Sequence, residues 1–288
     1  MKLGVAFAGG GLKGVAYIGV VKAFNELGIN VDILSGTSSG SMAASLFALG
    51  YTPEEMRAII YNNYKKLVKV PKKPIVSSAC TFLTKKSIKI QGLIPGERVE
   101  NLIQKAAEDK NVHTMSDIKI PFAVATVDTI STKECIFMSR NYNLQNDRID
   151  YLYDAPVGKA IRSSMAFPGI FTTSRYEKYN FIDGGTVDNL PTEVLRDMGA
   201  DVVIGLSFKL DDYDVENQSI FDVILRAVDI FSIKDVKKGQ RESDLAIEID
   251  AKGTSLMVID DIDKCIDIGY KAIMDRKEDI LKLLESNK

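Results

Sequence analysis

Ser38 stands at the centre of GTSSG (36–40), a G-x-S-x-G pattern between a short apolar run and a helical stretch. Gly36 and Gly40 would let strand and helix approach while the serine points out of a sharp bend, as in a nucleophile elbow. A serine hydroxyl attacks a carbonyl only beside a proton acceptor. The one histidine, His113, lies in NVHTMSDIKIP, whose Thr114, Ser116 and Asp117 read as the turn and cap residues of a connector. A carboxylate is then the expected base. The best placed is Asp183 in FIDGG (181–185), at a strand end where Gly184 and Gly185 clear space beside it. Aspartate–glycine turns are common, so that motif gains weight only in company.

A third motif supplies the company. AGGGLKG (8–14) joins a strand to a helix, and its glycines at 9, 11 and 14 satisfy G-x-G-x-x-G. A dinucleotide site would also need an acidic residue at the exit of the next strand. Asp32 lies at the wrong end of that strand, and Ser35-Gly36 occupy the exit. A phosphate loop for nucleoside triphosphates fails as well, since Lys13 is followed by Gly14 and not by serine or threonine. What remains is a row of backbone N–H groups at a helix start, which favours an anion or the oxyanion of a transition state. The alternative is that these glycines only allow close packing.

The surrounding elements read as alternating strands and helices. Residues 3–8 form a buried strand, and 14–27 show helical spacing through Val15, Ile18, Val21 and Phe24, with Gly28 as a stop. A second strand is expected over 31–35 and a second helix over Ser39–Leu49. Thr52-Pro53-Glu54-Glu55 carries an N-cap, a first-position proline and a capping-box glutamate. Residues 120–128 and 134–138 read as neighbouring strands, 170–183 as a hairpin, and 201–208 and 245–250 as further strands. The stretch 261–284 reads as one or two covering helices. No repeat or low-complexity linker divides the chain, so the expected fold is α/β: a central, mostly parallel sheet flanked by helices in three layers.

Composition narrows the chemistry. The 288 residues are 45% apolar and 26% charged, ordinary for a globular protein. Three cysteines, an odd count at wide spacing, argue against a disulfide framework and a cysteine zinc cluster, and a single histidine excludes a histidine-rich metal site. The net charge of −2 hides an uneven layout. Between Met56 and Gly96 there is no acidic residue, while Arg57, Lys65, Lys66, Lys69, Lys72, Lys73, Lys85, Lys86 and Lys89 are all basic. Lysines interleaved with apolar residues over 65–89 suit docking on an anionic membrane surface; the alternative is a solvated cap. No recognition motif or aromatic platform accompanies them, so nucleic acid is not an expected partner. No signal-peptide core and no run of 18 apolar residues occurs, so the expected location is cytoplasmic, with at most peripheral membrane contact.

Taken in order, GGGLKG (9–14), GTSSG (36–40) and DGG (183–185) resemble the three signatures of the patatin-like phospholipase family. SSMAFPGIF (163–171), with Pro168, and DNLP (188–191) resemble the family's segments on either side of the aspartate. The resemblance covers about residues 4–198, expected as the catalytic domain, with 199–288 a strand and helical extension packed on it. It implies Ser38 as nucleophile and Asp183 as base, a dyad without histidine. It implies an oxyanion hole at Gly9, Gly10 and Gly11, drawn chiefly from the Gly10 and Gly11 amides. Lys13 would add positive potential, or be a solvated lysine at a helix start; Gly14, Gly36, Gly40, Gly184 and Gly185 would support the turns. The implied reaction is hydrolysis of lipid acyl esters, of phospholipids or lysophospholipids, with no cofactor and no metal. The same dyad could serve a neutral-lipid esterase, a thioesterase or an acyltransferase, and the glycine turn alone could serve a non-catalytic nucleotide- or lipid-binding module.

Overall fold

The computed structural model describes residues 1–67, 92–210, 220–251 and 261–287. Its centre is a sheet in which β1 (Leu3–Phe7), β2 (Ile33–Thr37), β4 (Phe122–Asp128), β10 (Val202–Phe208) and β11 (Leu245–Ile249) run parallel in the order β11-β10-β1-β2-β4. β5 (Glu134–Met138) joins β4 antiparallel, and β6 (Ile149–Leu152) extends that edge parallel to β5. A small pair, β3 (Gly92–Ile94) with β7 (Gly169–Phe171), lies apart. β1 and β2 are buried at every position, because a parallel sheet is covered on both faces.

One face is covered by α1 (Ala16–Glu26), α2 (Ser39–Ala48), α3 (Pro53–Leu67), α4 (Glu97–Asp109), α5 (Val157–Ser164), α8 (Asp261–Met274) and α9 (Lys277–Ser286). Phe7, Tyr17, Phe24, Phe122 and Phe137 fill that core and are fully buried. The other face carries a smaller apolar layer through Ile33, Ile136, Met138 and Val203, against Val194 and Leu195 of α6 (Glu193–Asp197). α7 (Ile220–Glu242) crosses from β10 to β11. The capping box at α3 is formed: Thr52 N–H donates to Glu55 Oε2 at 2.8 Å, and Glu55 N–H to Thr52 Oγ1 at 3.2 Å.

The strand expected over 31–35 begins two residues later. Asp32 ends the loop by accepting the Leu3 N–H on its carboxylate at 2.8 Å, which ties it to the foot of β1. Of the lysine-rich stretch, Lys65 and Lys66 close α3, whereas Lys69 through Lys89 lie outside the described residues.

What positions the site is an exchange of partners along one edge of β4. β5 occupies the far edge from Ala123 to Val127. On the near edge β2 pairs with β4 only as far as Thr37, opposite Ala125. There β9 (Tyr179–Asp183), paired in a hairpin with β8 (Ser174–Tyr176), takes over antiparallel, and Asp183 lies opposite Thr126. The C-terminal ends of β2 and β9 therefore meet head to head.

The second face also buries a carboxyl. Glu134 opens β5, and its Oε1 is buried without a hydrogen-bond partner. Burial, then the nearby charge of Asp188, raises its pKa well above the carboxylate range, with Lys238 opposing. A carboxyl that keeps its proton in the folded state loses stability as pH rises from the unfolded value of about 4.3 toward the folded one. We therefore expect Glu134→Gln to reduce the fall in melting temperature between pH 5 and pH 8. Each kcal/mol recovered should appear as about 2–4 °C in scanning calorimetry. A fall as steep as in the wild type would show that Glu134 is ionised throughout.

Candidate active site

Ser38 turns off the end of β2 with φ 53° and ψ −127°, a left-handed conformation that L-residues adopt at a cost of about 1–3 kcal/mol. The bend is possible because Gly36 and Gly40, two residues away on either side, lack side chains. A Cβ on Gly40 would come 2.2 Å from the Phe7 carbonyl oxygen, and one on Gly36 would come 2.8 Å from the Ser41 backbone. Ser38 caps nothing with its side chain, although α2 starts at the next residue. Its Oγ instead donates to Asp183 Oδ2 at 2.6 Å.

Asp183 is almost fully buried. Its other oxygen, Oδ1, accepts the Gly185 N–H at 2.8 Å, and its own N–H is held by the Ala166 carbonyl at 3.1 Å. Burial pushes its pKa up to about 6, against the opposing pull of the Ser38 hydroxyl and the Gly185 amide. Gly184 sits where a Cβ would come 2.3 Å from the Ala125 carbonyl oxygen.

The glycine turn reaches the same place from the end of β1. Gly9 donates its N–H to the Asn189 carbonyl and to Asn189 Oδ1, at 3.3 and 3.1 Å. That amide is therefore committed to holding the turn against the aspartate segment. Gly10 donates to Ser39 Oγ at 3.2 Å, an exchangeable hydroxyl, and Gly11 lies exposed at φ 58°. Lys13 stands on the short 3-10 turn Gly11–Val15 that leads into α1, with Gly14 packed against Ser39.

Two residues complete the arrangement. Ser164, at the end of α5, accepts the Ser38 N–H at 2.8 Å and donates to the Ala125 carbonyl at 2.7 Å. One hydroxyl thus pins the elbow to β4 where β2 gives way to β9. Asn189 ties the glycine turn to the segment after Asp183. Sequence reasoning marked both stretches, SSMAFPGIF and DNLP, without giving either side chain a task; a polar residue inside each was the available signal. His113 is exposed between α4 and β4, its N–H on Asp117 Oδ2 at 2.9 Å, and takes no part. Among the described residues no group of three or more His, Cys, Asp or Glu is arranged to hold a metal ion.

The chain matches the family model described as patatin-like phospholipase over residues 5–196. It is 26% identical over 204 residues to the lysophospholipase NTE1 of Meyerozyma guilliermondii, covering 71% of this chain and 12% of that protein. It is 27% identical over 218 residues to patatin-like phospholipase domain-containing protein 7 of Rattus norvegicus, covering 75% of this chain and 14% of that protein. The chain thus spans about an eighth of the length of these relatives. Among solved structures it is similar to VipD from Legionella pneumophila, with a TM-score of 0.48, 14% identity, and coverage of 99% of this chain and 67% of that one. The family match runs through the glycine turn, the serine elbow and the aspartate turn that meet in this site, and the chain belongs to the patatin-like phospholipase family.

Proposed function

We propose that the chain hydrolyses fatty-acyl esters of phospholipids or lysophospholipids through Ser38 and Asp183. The observation that carries the reading is the 2.6 Å hydrogen bond from Ser38 Oγ to a buried carboxylate with a raised pKa. Ser38 attacks the ester carbonyl and passes its proton to Asp183. The tetrahedral oxyanion lies against the Gly10 and Gly11 amides at the positive end of α2, where charge is stabilised most. Gly9 serves by holding the turn. Asp183 returns the proton to the leaving alcohol; water then repeats the sequence on the acyl-enzyme, and the fatty acid leaves. β10 and β11 continue the sheet of β1 and β2, so we take 4–198 and the extension as one folded unit.

A fluorophosphonate probe followed by peptide mass spectrometry tests the reading. One adduct is expected, at Ser38; a protein that stays unlabelled while folded would sink it. Among the described residues no helix is long and apolar enough to cross a membrane.

Ser164 acts here as a positioning residue. Ser164→Ala leaves the Ser38 N–H and the Ala125 carbonyl without their shared partner, and the elbow gains freedom. We expect kcat to fall about 10- to 100-fold with KM little changed, since small misplacements of a nucleophile cost rate and not binding. Steady-state kinetics on a soluble ester decide it; a loss confined to KM would put Ser164 in substrate binding instead.

A further inference from the structure

We propose that the outer half of α7 is a docking surface for a phospholipid bilayer, set beside the mouth of the active site. The proposal rests on the lipid-ester reading above and adds where the lipid is met. Single exposed apolar residues are ordinary; a cluster is not. Among the described residues nine large apolar side chains are exposed, and five of them, Val187, Leu210, Val223, Ile230 and Phe231, belong to α7 or to the rim beneath it. Leu210 follows the C-terminal end of β10, whose Phe208 packs over Gly10; Val187 follows the Gly184–Thr186 turn that carries Asp183 into the site. α7 packs against that same turn.

Length explains why Val223, Ile230 and Phe231 are exposed. With 23 residues α7 is about 35 Å long. Its foot is fixed where Asp244 N–H donates to the Val203 carbonyl, and from Val203 to Phe208 the strand rises only about 17 Å. The N-terminal part of the helix therefore overshoots the rim on which Ser38, Asp183 and the glycine turn lie.

The spacing sorts its residues. Val223, Ile230, Lys234 and Lys237 fall on one stripe at i, i+7, i+11 and i+14, with Phe231 beside it, all exposed. Ser232 and Gly239, seven apart, lie on the opposite side and are buried. Asp235 falls off that stripe by the same count. Along the stripe the apolar residues come toward the tip and the lysines below them. That order suits a helix end dipping into acyl chains while its lysines stay at the phosphate level. Ile230 and Phe231 are 57% and 69% exposed, too open to belong to the core.

The chain has no tryptophan, so Phe231→Trp in the full chain is a single reporter. With phosphatidylcholine vesicles its emission is expected to move to the blue and to be quenched by bromine-labelled acyl chains, also in high salt. In parallel, the double variant Ile230→Lys with Phe231→Lys should lose about tenfold or more of its rate on vesicle phospholipid, and hydrolyse a short-chain soluble ester at the wild-type rate. Emission indifferent to vesicles, or a double variant as fast on vesicles as wild type, overturns the proposal. Blue emission without lipid, together with elution as a dimer, assigns the face to a second copy of the chain and overturns it too. The emission arm needs neither catalysis nor the double variant. If the wild type fails on every ester while Phe231→Trp still enters vesicles, the hydrolase reading fails and the docking surface stands.

Discussion

Ser38→Ala is expected to lower kcat on any acyl ester by at least about 10⁴-fold, with the protein still folded. The size follows from the chemistry: without its nucleophile the site retains only binding and oxyanion stabilisation, the residue left when a catalytic serine is removed. Retention of the fold follows from the packing. The elbow is set by Gly36, Gly40 and the Ser164 hydroxyl, which holds the Ser38 backbone N–H and not its side chain. Strain and chemistry can be separated at this position. Alanine inherits the left-handed φ of 53°, whereas glycine adopts it freely. Ser38→Gly should therefore be as inactive as Ser38→Ala but more stable by about 1 kcal/mol, read from denaturant midpoints. Turnover surviving in both variants would remove Ser38 from the mechanism; equal stabilities would mean that the elbow relaxes when the side chain is shortened.

The parts of this site that are local in sequence were legible there, and the parts that depend on long-range pairing were not. G-x-S-x-G, the glycine turn and the aspartate turn each announce a close approach or a bend, and each sits at a strand end because apolar runs lead into it. A single histidine, set among the turn and cap residues of a connector, made a carboxylate base the expectation. Nothing local says that residues 145 apart in sequence share a hydrogen bond. That contact arises because β2 stops opposite Ala125 and β9 ends opposite Thr126 on the same edge of β4, a register set by the whole sheet. Ser164 was missed as a working residue for the same reason, since both its partners are distant in sequence. Gly9 was placed with the oxyanion donors because an amide's commitments are invisible without Asn189 beside it. α5 and α7 went unread as helices. The sequence that opens α7, IFDVILRAVDIF, has few polar positions, which blurs the periodicity that identifies an amphipathic helix.

Asp183→Asn should cost activity and gain stability, and the two effects should cross near the same pH. Asparagine keeps an acceptor for the Gly185 N–H but cannot take the serine proton, so kcat is expected to fall about 10³- to 10⁴-fold at neutral pH. In the wild type the carboxyl has a pKa pushed up to about 6, with burial as the main cause. As a base it must be ionised, so kcat/KM should fall about tenfold per unit below pH 6 and level off above pH 7. A profile flat down to about pH 4 would exclude Asp183 as the base. Stability runs the other way. The unfolded carboxyl ionises near 3.9 while the buried one holds its proton to about 6, so the folded state loses up to about 3 kcal/mol as pH rises through that window. The asparagine variant has no charge to bury there and should be the more stable protein at pH 7 and no more stable at pH 3.5. The Gly185 amide, bonded to Oδ1, gives a direct reading: its NMR shift should titrate near pH 6 in the wild type, and not at all in Asp183→Asn. In Ser38→Ala it should titrate higher, because the hydroxyl that favours the charged form is gone. A carboxylate desolvated enough to accept a proton from serine is thus a carboxylate the fold is strained to keep charged.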